Sequence, residues 1–199
     1  MSDDDDRRLL LAWRQGDRAA GNALVTRYIP VLHRFFSNKL DGPIADVVQD
    51  TFAACVAARE RIPEDIGFAA YLLGIARNHL LMLLRARRYA RRQFTGPLST
   101  SVARASATPS QRLAAQDQRE LLLLALRRLP LEQQTLLELY YWEELAVTEL
   151  ATVCEIAAGT VKSRLFRART RLREILQELG LDHTATGAVL AQLGGAELP

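Results

Sequence analysis

Residues 148–169 read TELATVCEIAAGTVKSRLFRAR, and this stretch combines two helix patterns with a short break between them. The first pattern covers residues 148–154, and the second starts near residue 158. A short helix, a tight turn and a second helix rich in cations are typical of a helix-turn-helix, which binds duplex DNA. The stretch therefore predicts a DNA-binding unit in the second half of the chain.

The second helix of this unit has two different faces. At about 100° per residue its apolar side chains fall along one side, and these are Val161, Leu165, Ala168 and Leu172. The opposite side and its flanks carry small, aromatic and basic residues, namely Gly159, Lys162, Ser163, Arg164, Phe166, Arg167 and Thr170. Residues 162–173 contain six cations and no acid. A helix with an apolar back and a cationic front suits the major groove of DNA.

We predict that this cationic face contacts both bases and phosphates. Ser163 and Arg167 lie opposite the apolar seam, with Lys162 and Phe166 close by, so these four side chains are expected to face base edges. Arg164 and Arg169 lie further round the helix and are expected to contact phosphates. A solvated basic helix face is the alternative interpretation, but the short helix that precedes this one favours DNA binding.

The composition excludes several other classes of protein. Of the 199 residues 49% are apolar, but no apolar run approaches the roughly 20 residues of a membrane span. The acidic run at residues 3–6 is the reverse of a cationic export signal, so we expect a cytoplasmic protein without membrane insertion. Cys55 and Cys154 are far apart and only three histidines are present, so we predict buried thiols, no metal site and no cofactor.

A second basic block, free of acids, lies in the first half of the chain. It contains Arg77, Arg85, Arg87, Arg88, Arg91 and Arg92. The net charge of the whole chain is only +3, so the cations are concentrated rather than spread evenly. Two separated basic blocks suggest two contacts along one polyanion.

The fold class predicted from the apolar spacing is all-α, with two small helical domains. We predict helices at 7–15, 18–39, 44–60, 67–92, 111–129, 131–142, 148–154, 158–178 and 184–193. Residues 95–108 read TGPLSTSVARASAT and are followed by Pro109, a composition typical of a flexible linker. The predicted domains are therefore 7–94 and 110–178, joined by a linker at 95–109, and residues 179–199 form an extension without an assigned role.

Local signals add detail to this arrangement. Asp17 and Ser110 are predicted N-caps, and Pro43 and Pro130 stand where a helix start tolerates proline. The acidic residues 3–6 are predicted to form a disordered, solvating tail, with weak folding over a basic patch as the alternative. The spacing of Phe68, Tyr71 and Ile75 indicates that at least two of them lie in the core.

Three motifs together resemble the extracytoplasmic-function (ECF) family of bacterial alternative sigma factors. Residues 46–52, DVVQDTF, resemble the polymerase-binding helix of that family, and residues 68–78, FAAYLLGIARN, resemble its promoter-melting stretch. Residues 159–169 resemble its recognition helix. The order of the three motifs matches the family, and the resemblance covers about residues 7–178. The family usually has Gly where Glu155 stands, so we expect either a less favourable backbone conformation at Glu155 or a slightly different turn.

The resemblance implies a role for each motif. Core RNA polymerase would be bound through its largest subunit by Asp46, Gln49, Asp50 and Phe52. Melted −10 promoter DNA would contact Arg61, Phe68, Tyr71, Arg77, Asn78, Arg85 and Arg88, with a flipped base received by the loop at residues 61–67. Double-stranded −35 DNA would contact Thr160, Lys162, Ser163, Arg164, Phe166 and Arg167. An anti-sigma factor is a further expected partner.

The sequence therefore predicts a non-enzymatic specificity subunit of RNA polymerase. A helix-turn-helix regulator that binds an operator by itself, as a dimer, is the alternative. A helical nuclease is a third and more distant hypothesis, because paired carboxylates such as Asp46 and Asp50 need further acids or histidines to hold a catalytic metal.

Overall fold

The computed structural model describes residues 3–63, 65–94 and 115–191, and these residues form helices without any strand. The elements are α1 (Asp3–Arg14), α2 (Arg18–Ser37), α3 (Ala45–Ala58), a 3-10 turn (Arg59–Arg61), α4 (Phe68–Phe94), α5 (Ala115–Arg128), α6 (Leu131–Tyr141), α7 (Val147–Cys154), α8 (Ala158–Glu178) and α9 (His183–Ala191). The predicted linker at 95–109, the Ser110 cap and the predicted helix start at residue 111 lie outside the described residues.

The chain folds into two compact units. One consists of Met1–Leu98 with Thr148–Ile156, and the other of Ser99–Val147 with Ala157–Pro199. By this division α7 groups with the first unit, whereas the predicted second domain, 110–178, is continuous in sequence. The boundaries of the two domains stay a prediction.

In the first unit α1 to α4 pack around one apolar core. Its largest fully buried side chains are Leu24, Tyr28, Leu32, Phe36, Leu72, Leu73 and Leu80. Asp17 caps α2 as predicted, since its carboxylate accepts hydrogen bonds from the backbone N–H groups of Ala19 and Ala20 at 2.8 and 3.2 Å. The ring of Tyr28 meets the ring of Phe68 edge-on at 5.2 Å, which joins α2 to the start of α4.

The prediction of a disordered tail at residues 3–6 is wrong, because these residues form the first turn of α1 (Asp3–Arg14) and Asp6 is buried. Asp6 is 2% exposed, and its carboxylate accepts hydrogen bonds from the Tyr28 hydroxyl and the Arg27 guanidinium. Asp5 pairs with Arg27 and Arg8, and the hydrogen bond from Arg27 lowers the pKa of Asp5. These acids lie at a helix N-terminus, where the helix dipole stabilises negative charge. The acidic run is therefore ordered, because Asp5 and Asp6 are paired with Arg27 and Tyr28 of α2.

Close packing at the other end of α1 depends on a glycine. The side chain of Trp13 lies against Gly21 of α2, and a Cβ built at position 21 would approach the indole Nε1 to 2.5 Å. The two helices approach closely at this point because position 21 has no side chain.

The second unit has a core formed by α5, α6, α8 and α9. Leu126, Leu136, Leu137, Leu139 and Leu176 are among its most buried side chains. Leu122, Ala125 and Leu126 form the buried side of α5. α9 packs on α5 and α8, so part of the extension beyond residue 178 belongs to this core.

Candidate nucleic-acid and protein interfaces

The turn between α7 and α8 has the first of the two alternatives expected at Glu155, a less favourable backbone conformation. Glu155 has φ +56°, in the left-handed region that glycine adopts most easily. Its own N–H donates to Thr152 O at 3.2 Å, and the N–H of Ile156 donates to Ala151 O at 3.0 Å. These bonds end α7 and turn the chain into α8, which begins at Ala158.

The two faces of α8 confirm the predicted seam. Val161, Leu165, Ala168 and Leu172 are buried, whereas Lys162, Ser163, Phe166 and Arg167 are exposed. Phe166 is 67% exposed, although exposure of an aromatic ring to water is unfavourable. Thr160 is half-buried at the start of the same helix. The exposed side of α8, which we call the α8 face, therefore presents a hydroxyl, a ring and two cations together.

Three cations of the same basic block are engaged within the second unit. Arg164 lies 2.9 Å from Glu132 of α6, and Arg171 pairs with Glu174 and Glu178 at 2.8 and 3.2 Å. The guanidinium of Arg169 lies over the rings of Tyr140 and Tyr141, at 5.3 and 5.5 Å from their centroids. Its Nε is buried without a hydrogen-bond partner. The predicted phosphate contact by Arg169 is therefore not supported, because this side chain packs on α6 instead.

Burial affects the tyrosine beneath this cation. Desolvation raises the pKa of Tyr141, while the nearby Arg169 opposes that rise. The stacked cation and the two rings hold α8 against the end of α6. Arg169 therefore fixes the orientation of the helix that presents the α8 face.

The outer side of α3 carries the predicted polymerase-binding residues. Asp46, Gln49 and Asp50 are exposed and Phe52 is half-buried. Val56 is also exposed, one turn beyond Phe52, and the motif did not single it out. We call these five residues the α3 face; it combines two acids and an amide with two apolar side chains.

The inner side of α3 holds this face in place. Val47, Thr51 and Cys55 are buried, and the Thr51 hydroxyl donates to Val47 O at 2.7 Å. The same hydroxyl lies 3.1 Å from Nδ1 of His79 on α4. Burial raises the pKa of the Cys55 thiol to about 12, so this cysteine is a neutral core residue, as predicted.

The exposed side of α4 forms a long stripe. At about 100° per residue, Tyr71, Asn78, Met82, Arg85 and Tyr89 fall within about 60° of one another. Asn78 and Arg85 are exposed, Met82 and Tyr89 are 59% and 67% exposed, and Tyr71 is half-buried. We call these five residues the α4 stripe. Met82 and Tyr89 were not predicted, although an aromatic among arginines is a signal for stacking on bases.

The other predicted −10 residues differ in their exposure. Arg61 and Arg88 are exposed and Arg77 is half-buried. Phe68 is only 3% exposed and lies against Tyr28. Because its ring is part of the core, Phe68 is not available to stack on a base, and we exclude it from the site. Of the three residues of the predicted core stripe only Phe68 is buried, while Tyr71 and Ile75 are half-buried, so the prediction that at least two of them lie in the core is wrong.

The loop before α4 is joined to α1 by one side chain. The Nε of Arg14 donates to Arg59 O at 3.0 Å, and a terminal nitrogen of the same guanidinium donates to Ile62 O. Ile62 is buried, whereas its neighbours Arg61 and Pro63 are exposed. The start of this loop is thus held both by the hydrogen bonds from Arg14 and by the buried side chain of Ile62.

The described part of the chain lacks two other kinds of feature. Among its residues no cluster of His, Cys, Asp and Glu has the arrangement that a metal ion requires. None of its helices combines the length and the apolar character needed to cross a bilayer.

Two segments of the chain match family models. Residues 24–90 match Sigma-70 region 2, and residues 119–172 match Sigma-70, region 4. The first segment runs from α2 to α4, and the second runs without a break from α5 through α7 into α8. α1 and α9 lie outside both matched segments.

Relatives that align with most of the chain are also sigma factors. The ECF RNA polymerase sigma factor SigL of Mycobacterium tuberculosis (strain ATCC 25618 / H37Rv) is 36% identical over 170 residues, which are 83% of this chain and 93% of the relative. The ECF RNA polymerase sigma-E factor of Escherichia coli (strain K12) is 27% identical over 188 residues, 87% of this chain and 95% of the relative.

Solved structures share the fold. The sigma factor RpoE from Bartonella quintana, solved with the anti-sigma factor NepR, has a TM-score of 0.62 and 28% identity, over 78% of this chain and 96% of that one. CnrH, solved with the cytosolic domain of CnrY, has a TM-score of 0.61 over 87% of this chain and 98% of that one. The identity to CnrH is 24%, so that likeness concerns the fold alone.

Proposed function

The chain belongs to the ECF family of RNA polymerase sigma factors, alternative sigma factors that direct transcription initiation, and from this membership we propose how its surfaces divide that work. The α3 face binds core RNA polymerase, the α4 stripe and the loop at residues 61–67 hold melted −10 DNA, and the α8 face reads the −35 duplex.

The α8 face carries the assignment for duplex DNA. Its single strongest support is the combination of a fully buried apolar seam with an exposed front that contains Lys162, Ser163, Phe166 and Arg167. Guanidinium and ammonium groups donate to guanine, a hydroxyl contacts several bases, and an aromatic ring contacts a thymine methyl group. Thr160 and Arg164 lie at the edge of this face, where phosphate oxygens follow the groove.

The α4 stripe suits an unpaired strand rather than a duplex. Tyr71 and Tyr89 offer rings on which bases stack, and Asn78 and Arg85 offer donors to base edges and phosphates. The stripe runs from Tyr71 to Tyr89, a rise of about 27 Å, which is long enough for several nucleotides. Arg61, Arg77 and Arg88 add positive charge around it.

The α3 face suits a protein partner. Asp46 and Asp50 are exposed acids on a chain whose DNA-binding surfaces are basic, so this face repels DNA and is free to meet the basic side of another protein. Phe52 and Val56 supply apolar area beside these polar groups. Asp46, Gln49, Asp50 and Phe52 therefore form the contact with the largest subunit of core polymerase.

The remaining properties follow from the same assignment. The chain supplies specificity to the catalytic polymerase and is not itself an enzyme, and it acts in the cytoplasm, where polymerase and promoters are found. Since RpoE of Bartonella quintana was solved with an anti-sigma factor, we assign an anti-sigma protein as the partner that holds this chain inactive.

A run-off transcription assay tests the proposal. Core polymerase is incubated with a pool of genomic promoter fragments, with and without this protein, and the transcripts are sequenced. The proposal requires start sites that depend on the protein and that share −10 and −35 elements. A stand-alone regulator would instead bind duplex operator DNA as a dimer without core enzyme and would add no start sites; family membership does not favour that alternative.

A further inference from the structure

α1 is joined to the rest of the first unit at both ends. At its start Asp5 and Asp6 are bound by Arg27 and Tyr28 of α2. At its end Arg14 donates two hydrogen bonds to backbone carbonyls beyond α3. α1 precedes the segment that matches region 2, which starts at residue 24, so the match gives it no role.

The two acceptors of Arg14 are carbonyls that α3 leaves available. Arg59 is the C-cap of α3 and Ile62 the C-cap of the 3-10 turn that follows. The last carbonyls of a helix have no partner within the helix, and a cation at this end also interacts favourably with the helix dipole. A guanidinium has five N–H donors in a rigid fork, so Arg14 satisfies both carbonyls at once, which Lys does less well.

These bonds hold both ends of the short segment that contains Arg61. Glu60 and Arg61 lie between the two acceptors and are exposed, and Arg14 binds the carbonyls of Arg59 before them and Ile62 after them. The buried side chain of Ile62 anchors the end of this segment in the core. The direction in which Arg61 and the following loop leave the core therefore depends on Arg14.

We propose that Arg14 is a positioning residue for promoter melting, which sets Arg61 and Ile62, at the start of the proposed base-binding loop, so that a base from the melted −10 strand is received there. This inference rests on the proposed function of that loop. Arg14 touches no DNA in this assignment; it acts through the backbone. Its loss changes how one unpaired base is held and leaves the α3 face unchanged.

The attachment of α1 does not depend on Arg14 alone. The buried carboxylate of Asp6 holds the first turn on α2, and Trp13 packs on Gly21 near the last turn. Replacement of Arg14 by a shorter polar side chain therefore removes two hydrogen bonds to the loop while α1 stays docked. This separation makes the positioning role testable apart from stability.

The test uses the complete holoenzyme and promoter templates in which single −10 nucleotides of the non-template strand are abasic. Arg14→Gln and Arg14→Lys are compared with the wild type, and Arg18→Gln serves as the control, since Arg18 is exposed and the charge change is the same. Open-complex formation is measured on each template, together with affinity for core polymerase and the thermal melting of the free protein.

We expect the wild type to lose open complexes at one abasic position in particular. Arg14→Gln should form about tenfold fewer open complexes on the intact promoter, in line with the loss of its hydrogen bonds, and should no longer respond to that abasic position. Arg14→Lys should recover part of both properties, and core affinity should match the wild type. Arg18→Gln should behave as the wild type throughout.

Two results would overturn the positioning role. In the first, Arg14→Gln forms fewer open complexes on every template by the same factor and still loses open complexes at the abasic position as the wild type does. The substitution of Arg14 and the removal of the base would then act independently. The second is a loss explained by weaker core binding or by a lower melting temperature. A wild-type protein that directs no initiation with core polymerase would instead overturn the proposed function, and the role of Arg14 with it.

Discussion

Arg164 of α8 and Glu132 of α6 form an ion pair at 2.9 Å, so one cation at the edge of the α8 face is held by an acid of the helix behind it. Both side chains are partly solvated, and such a pair contributes only about 0–1 kcal/mol to stability. The main effect of the pair is on the direction of the Arg164 side chain. To contact a phosphate, the Arg164 guanidinium must either break its ion pair with Glu132 or contact both groups at once.

The first prediction concerns this pair. Glu132→Gln should release Arg164, add about one phosphate contact and steepen the dependence of duplex binding on salt by roughly 0.9 in log–log slope. Fluorescence anisotropy with labelled duplex DNA at several salt concentrations measures that slope. The double variant Glu132→Gln/Arg164→Ala is the control, and it should lose the gain; a gain that survives in the double variant would show that Arg164 is not its source.

The second prediction concerns base recognition by Arg167. Arg167→Ala should cost about 1–3 kcal/mol at one −35 position and relax the preference there, because a bidentate contact to a base edge is lost. Transcription from a library of −35 variants measures the preference at each position. Arg171→Ala is the matched control, since Arg171 already pairs with Glu174 and Glu178. An equal loss on every promoter variant would place Arg167 on phosphates instead.

The third prediction concerns polymerase binding. Asp50→Arg reverses an exposed charge of the α3 face, so it should weaken binding to core polymerase while the melting temperature stays the same. Co-elution with core enzyme and a thermal melt measure the two properties. Glu120→Arg makes the same change at an exposed position of α5 and should leave core binding intact. Normal core affinity for Asp50→Arg would remove this residue from the interface.

The fourth prediction concerns Tyr89 at the end of the α4 stripe. Loss of one base-stacking ring costs about 1–3 kcal/mol, so Tyr89→Ala should weaken holoenzyme binding to a pre-melted promoter by roughly fivefold to a hundredfold. Tyr89→Phe keeps the ring and should bind as the wild type. Binding to the same promoter with the −10 region kept as a duplex should change little; an equal loss on duplex and melted templates would argue against stacking.

Features that depend on a single helix were predictable from the sequence. The buried seam of α8, the cap at Asp17, the left-handed Glu155 and the exposed acids of α3 each follow from periodicity or from a local motif. A helix places residues three and four apart on one side whatever the rest of the chain does, so these patterns need no knowledge of tertiary contacts. The family resemblance, which rested on three such local motifs, is confirmed.

Features that depend on packing between helices were not predictable in this way. Asp6 belongs to an acidic run, and only the approach of Arg27 and Tyr28 from α2 makes its burial favourable. Arg169 belongs to a basic run, yet it stacks on Tyr140 and Tyr141. Phe68 matched a DNA-binding motif, but it lies beneath Tyr28. In each case the sequence gives the chemistry of the side chain, but it does not show which side chains of other helices pack against it.

The close packing of Trp13 on Gly21 has a consequence for how this chain can change over evolutionary time. Any side chain at position 21 would collide with the indole, whose nearest atom lies 2.5 Å from the place a Cβ would occupy. Substitutions at 21 are therefore open only to descendants that have first replaced Trp13 with something smaller. Among related sequences, residues 13 and 21 should therefore covary, and sequences with large residues at both positions should be rare. The order of historical steps is thus constrained by the closest approach of two helices.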